Sequence, residues 1–150
     1  MVHYTIISCG ADHDRREGGD PMAVSEAIEN YLETIYILSK EKSEIHAIDI
    51  CAYLSYSRPT VSIVLRQMRE QGLVTVNEDN HIHLTEEGLR IAEHMYERHE
   101  LLTQLFMSYG VSQETAQHDA CKIEHDLSDE TFEALKRHVL SEKHQGAVEA

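Results

Sequence analysis

The segment that most restricts the fold lies between residues 57 and 84. SRPTVSIVLRQMREQG (57–72) opens on Ser57, a helix-capping residue type. Pro59 stands in the first turn, where its missing N–H costs little, and Gly72 closes the run. Val61, Val64, Leu65 and Met68 make one apolar face at helical spacing. LVTV (73–76) and HIHL (81–84) are short β runs flanking the polar turn NEDN (77–80), which spells a hairpin. Just upstream, SEIHAIDICAYL (43–54) predicts a second short helix, with Ile45, Ile48, Ile50, Cys51 and Leu54 apolar. Helix, short turn, helix opening S-x-P, then hairpin is the order of a winged helix-turn-helix, whose second helix is the one that enters a major groove. The expected class is mainly α with a small β-hairpin wing.

The flanks are helical. Ser25 is a candidate N-cap for a helix with Ile28, Leu32, Ile35 and Leu38 on its apolar face, Tyr31 alongside, and Glu26, Asn30 and Glu33 on a separate polar stripe. Thr85 caps a long helix to about Tyr109, ended by Gly110, with Leu89, Ala92, Met95, Tyr96, Leu102, Leu105 and Phe106 apolar. Ser112 caps a helix expected over Gln113–Leu127, and Ser128 caps a last one, DETFEALKRHVL (129–140). Residues 1–21 combine charges and breakers without an apolar period, so they read as a disordered extension, and Met22 could serve as an alternative start. His3, Cys9 and His13 receive no role. Residues 22–90 are then expected to form the winged helix-turn-helix, 91–140 a helical domain, and 141–150 a frayed tail.

Charge at first opposes this reading. The chain of 150 residues carries 13 Lys and Arg against 27 Asp and Glu, a net −14 with histidines neutral, whereas phosphate contacts need cations. The charge is uneven, however. Residues 52–76 hold Arg58, Arg66 and Arg69 against Glu70, the only net-positive stretch, at +2. Three arginines there suit either a solvated helix face or a DNA-facing one. No run of 18 apolar residues exists, so no membrane helix is expected. MVHYTIISCG lacks the basic start of a secretory signal. Cys9, Cys51 and Cys121 are too few for a closed disulfide framework and too far apart for a CxxC zinc site, so a reducing cytoplasm is the expected location. Cys51 sits among apolar neighbours and reads as a core residue.

AQHDACKIEHDLS (116–128) is the stretch richest in metal-ligating types. Gln117, Cys121, Glu124, His125 and Ser128 fall at i, i+4, i+7, i+8 and i+11, one face of a helix. A thiolate, a carboxylate and an imidazole at that spacing can chelate one divalent transition metal. The same spacing also suits an ordinary polar face with a buried cysteine. Asn30 and Glu33 could add oxygen ligands, and His99, amid apolar positions, is either a structural histidine or a further ligand. A di-iron enzyme or storage bundle would use paired Glu-x-x-His motifs on facing helices. The one such motif here, Glu78–His81, falls in the expected hairpin, which argues against an enzyme. A metal-independent winged-helix regulator is the other alternative.

Six segments carry a family resemblance: NYLETIY (30–36), RPTVS (58–62), MREQGLV (68–74), LTEEGLRIA (84–92), RHELL (98–102) and ACKIEH (120–125). In order and spacing they resemble the diphtheria-toxin-repressor family of metal-dependent transcriptional repressors, across roughly three quarters of the chain, and the chain resembles its two-domain, manganese-transport-regulator-like type. The resemblance implies a DNA-binding domain over 22–90, a metal-binding and dimerisation domain over 91–140, a homodimer, and a palindromic double-stranded operator. It implies the metal set Asn30, Glu33, His99, Cys121, Glu124 and His125. Manganese-type members carry Asp and Glu at the positions of Asn30 and Cys121; iron-type members carry Met and Cys. The chain is thus a hybrid, and Asn30 departs from both. Thr103 and Gln117 replace a carboxylate and a histidine of the iron-type ancillary site, for which adjacent His118 and Asp119 could compensate. Cys121 favours a softer ion than oxygen ligands alone, so Fe(II) is expected at least as much as Mn(II), with Zn(II), Co(II) or Ni(II) competent in vitro. An exposed thiolate there would be open to oxidation.

On the recognition helix, Ser57, Arg58 and Thr60 are expected to face phosphate near the helix N-terminus, with Arg66 also in reach. Pro59, Ser62 and Ile63 resemble the family's base-facing positions, and an apolar Ile63 would meet a thymine methyl unless it packs inward. The acidic NEDN tip should not embrace the backbone as a basic wing would.

Overall fold

The computed structural model describes residues 24–146, with side chains as far as Lys143. The expectations for residues 1–21 and Met22 lie outside that range. The order is α1 (Glu26–Glu41), α2 (Ala47–Leu54), α3 (Arg58–Glu70), β1 (Val74–Val76), β2 (Ile82–Leu84), α4 (Glu86–Ser108), α5 (Gln113–Ile123) and α6 (Asp129–Gly146). The mainly helical class with one antiparallel hairpin is as expected. The described residues divide into two compact units, 24–95 and 96–146.

The first unit is the winged helix-turn-helix. Ser25 caps α1, its Oγ accepting the Ile28 N–H at 3.3 Å. Ile28, Tyr31, Leu32, Ile35 and Leu38 of α1 join Ile50, Cys51 and Leu54 of α2 and Val61, Leu65 and Met68 of α3 in one buried core. Tyr31 stacks on Tyr56 with ring centroids 6.1 Å apart. Glu33, on the polar stripe of α1, is nevertheless buried, at 4%.

The second helix is shorter than the sequence suggests. It begins at Ala47 because the Asp49 carboxylate accepts the His46 N–H at 2.9 Å and draws in the Lys42 ammonium at 2.6 Å. That fixes a helix start three residues upstream of Asp49. Residues 43–46 are not helical, bending at Ser43 and Glu44, and the Ile45 carbonyl accepts the Ile82 N–H at 2.8 Å. Ile48, expected in the apolar set, is 51% exposed.

Helix α3 ends as its glycine predicts. Gly72 has φ +70°, and the Leu73 and Gly72 amides return to the Met68 and Arg69 carbonyls at 2.9 and 3.1 Å, the paired C-terminal bonds of a Schellman motif. β1 and β2 pair antiparallel with Val74 opposite Leu84 and Val76 opposite Ile82. The turn between them is held by the Asn77 carboxamide oxygen, which accepts the Asp79 and His81 amides at 3.0 and 2.9 Å. Thr85 caps α4, accepting the Gly88 N–H at 3.1 Å while its hydroxyl donates to the Gly72 carbonyl at 2.7 Å. Gly88 rather than Leu89 faces inward here. A Cβ on Gly88 would stand 2.0 Å from the Leu73 carbonyl oxygen, and Leu89 points to solvent.

The second unit packs the rest of α4 with α5 and α6. Leu102, Leu105, Ala116, Ala120, Phe132 and Val139 are buried. Helix α5 stops at Ile123, earlier than the expected Leu127; Glu124, His125 and Asp126 form a turn. Ser128 therefore does not share the α5 face but caps α6, accepting the Thr131 N–H at 3.2 Å. Helix α6 continues to Gly146 instead of fraying after 140, with Lys143 donating to the Gln104 side chain at 3.0 Å and His138 opposite Glu142 at 3.4 Å. Residues 147–150 lie outside the described range.

Candidate metal centre and nucleic-acid face

The metal-ligating residues concentrate in the helical unit. His99 lies on α4, Cys121 on the buried face of α5, Glu124 at its C-cap and His125 one residue on. Glu124 and His99 have no exposure, and Cys121 has 4%. One Glu124 carboxylate oxygen meets His99 Nδ1 at 2.9 Å and the other lies 3.4 Å from His125 Nε2. A fully desolvated carboxylate is costly unless donors or cations meet it; here it stands between two imidazoles. His99, Glu124 and His125 supply nitrogen and oxygen donors away from water, and Cys121, one turn back from Glu124, is a buried sulfur donor; by type these donors suit a first-row divalent ion. Because Cys121 is buried, the exposure that would open it to oxidation is missing.

Asn30 and Glu33 are on α1, in the other unit, half-buried and buried respectively. Thr103 and Gln117 are buried in the helical unit, one turn along α4 from His99 and one turn back along α5 from Cys121. His118 and Asp119 are both substantially exposed and lie 3.4 Å from each other. Glu78 and His81 sit in the hairpin turn, not on facing helices, so the paired Glu-x-x-His arrangement is not formed by these residues.

One residue escaped the sequence reading. Arg98, in RHELL, is 3% exposed. Its Nη1 donates to the Glu124 and Leu127 carbonyls at 3.0 and 2.6 Å, and its Nη2 pairs with Asp129. The available signal was its place in the apolar stripe of α4, three residues after Met95 and four before Leu102, where an arginine needs buried partners.

The face of α3 is open. Ser57, Arg58, Pro59, Thr60, Ser62, Ile63 and Arg66 are all exposed, while Val61, Leu65 and Met68 between them are buried. Ser57 caps the helix, accepting the Thr60 N–H at 3.4 Å and sharing a 2.8 Å hydrogen bond with the Thr60 hydroxyl. Ile63 is 49% exposed, so it is not a packing residue.

Comparison with known proteins decides the lineage. Residues 23–82 match the family described as iron dependent repressor, N-terminal DNA binding domain, and residues 85–144 match iron dependent repressor, metal binding and dimerisation domain. The chain belongs to the iron-dependent repressor family. Within it, the chain is 34% identical over 119 residues to the transcriptional regulator MntR of Escherichia coli O6:H1, covering 79% of this chain and 76% of that one. It is 34% identical over 111 residues to the iron-dependent repressor IdeR of Mycobacterium bovis, covering 73% and 48%. Among solved repressors of this fold, the manganese regulator SloR superposes with a TM-score of 0.68 at 27% identity, covering 75% of this chain and 53% of the other. A manganese-dependent transcriptional repressor in complex with manganese gives 0.68 at 26%, covering 74% and 51%. The chain spans about half the length of these two structures.

Proposed function

We propose that this chain is a metal-activated transcriptional repressor of metal-homeostasis genes, acting in the cytoplasm as a homodimer on a palindromic operator and catalysing no reaction. The observation that carries the reading is the buried Glu124 carboxylate between His99 and His125, in a chain whose other unit exposes the seven-residue face of α3. The proposed ligands are His99, Cys121, Glu124 and His125, with Asn30 and Glu33 supplied from α1, for Fe(II) or Mn(II). When bound, a divalent ion offsets the mutual repulsion of Glu33, Glu124 and the Cys121 thiolate and favours the arrangement competent for DNA. Arg58, Arg66, Ser57 and Thr60 hold phosphates; Pro59, Ser62 and Ile63 face base edges. A coupling of about 1–3 kcal/mol between the two binding events changes DNA affinity roughly 5- to 150-fold.

The test is an anaerobic mobility shift on the gene's own promoter and on metal-transporter promoters, with Mn(II), Fe(II), Zn(II) or chelator. Metal-dependent retardation is expected, and it should vanish in Glu124→Ala and His125→Ala. Retardation that ignores chelator would make the chain a metal-independent regulator, and a metal response surviving both substitutions would remove the proposed site. Calorimetry with Mn(II) and Fe(II) on wild type and Asn30→Asp decides whether Asn30 is a ligand and which ion is preferred.

A further inference from the structure

Helix α5 ends without the left-handed glycine that closes α3. Glu124 keeps helical angles, φ −58° and ψ −32°; the Ile123 carbonyl is met locally by the Asp126 N–H at 3.1 Å, whereas the carbonyl of Glu124 itself is met from α4, by Arg98. Its guanidinium reaches the Glu124 and Leu127 carbonyls and the Asp129 carboxylate at the start of α6, and it lies 5.1 Å from the Phe132 ring centroid. The next residue, His99, holds the side chain of that same Glu124. Two consecutive residues of α4 therefore fix one acidic group twice, by its main-chain oxygen and by its carboxylate. The turn that carries His125 is pinned at Glu124 and at Leu127 by one cation.

We infer that Arg98 is a positioning residue for the metal donors of segment 121–125: it sets how tightly a divalent ion is held without being a ligand. The inference rests on the metal-site reading above. A planar guanidinium serves two carbonyls and a carboxylate together, whereas a lysine ammonium is a single point charge on a flexible stem. Groups that orient metal ligands from behind typically govern affinity by about 10- to 100-fold.

The experiment is an anaerobic Co(II) titration of the full chain, followed by visible absorption including the Cys121 thiolate-to-Co(II) band, beside thermal melting of the metal-free protein. In Arg98→Lys the Co(II) affinity should fall about tenfold and the ligand-field bands should change, while the metal-free melt stays close to wild type. A role confined to helix packing gives the opposite pattern, a lowered melt with unchanged Co(II) affinity and spectrum, and overturns the inference. Arg98→Ala should weaken Co(II) binding further. If it does not fold, Arg98→Lys decides alone, and if neither folds Arg98 is structural and the inference falls. Absence of Co(II) uptake by the wild type would instead strike the metal-site reading itself.

Discussion

Replacing Gly88 by alanine separates two opposed expectations. Gly88 lies in the first turn of α4, and helix propensity alone makes Gly→Ala favourable by about 1 kcal/mol. The packing says otherwise. The new Cβ would lie 2.0 Å from the Leu73 carbonyl oxygen and 3.0 Å from its carbon. That oxygen also accepts the Thr85 N–H at 3.0 Å, so it cannot retreat without loosening the junction of β1, β2 and α4. Overpacking strain of about 1–3 kcal/mol plus a weakened buried hydrogen bond of about 1–3 kcal/mol, less the propensity gain, leaves a net loss of about 3 kcal/mol. For a chain of this size that lowers the melting temperature by about 10 °C. Urea and thermal unfolding of metal-free wild type and Gly88→Ala measure it directly. A variant as stable as wild type, or more so, would refute the close approach of α4 to Leu73 and with it this account of the hairpin's attachment.

Asp49→Ala should cost about 1 kcal/mol at neutral pH, the usual value of a lost helix-start contact. The Lys42 ammonium, then the His46 amide, holds the Asp49 carboxyl below its ordinary range. Its contribution is therefore present above the ordinary carboxylate pKa and lost as pH falls through the lowered value, so the gap between the two proteins should close in strong acid, as urea unfolding will show. The Tyr31 hydroxyl is buried with no hydrogen-bond partner, and burial, aided by Tyr56 and Cys51, pushes its pKa up to about 12. Tyr31→Phe should then stabilise by about 1 kcal/mol; the wild type should lose stability as pH rises from the ordinary phenol value through that raised one, and the variant should lose less in an alkaline melt. With the operator in hand, changing thymine to uracil one base at a time removes single methyl groups. At the base met by Ile63 this should cost the wild type about 0.8 kcal/mol, roughly fourfold in affinity, and cost Ile63→Ala nothing; an equal penalty in both would detach Ile63 from base recognition.

The parts of this fold that were legible in the sequence are those with local causes. Ser25, Ser57, Thr85 and Ser112 mark helix starts because their side chains bond the amides three residues on. Gly72 marks an end because only a residue free to take φ +70° closes α3 that way. What was misjudged depends on distant partners. Helix α5 looked four residues longer because a partner of the turn that follows it, Arg98, is 26 positions away from Glu124. Residues 43–46 looked helical because the bond that holds Ile45 outside the helix comes from Ile82. The donor types at 121, 124 and 125 could be named from spacing, but not that Glu124 would be wholly buried against His99. Periodicity says which face a residue shares, not what that face will meet.

The single bond from Ile82 to Ile45 has a consequence for how the protein behaves among other chains. A two-stranded sheet leaves both outer flanks as rows of unpaired main-chain groups, each a template on which a foreign strand can add. On the β2 side, the amide of Ile82, where that strand begins, is already taken by the connector between α1 and α2. The hairpin is in effect capped by its own chain, and an incoming strand would have to displace Ile45 before it could add there.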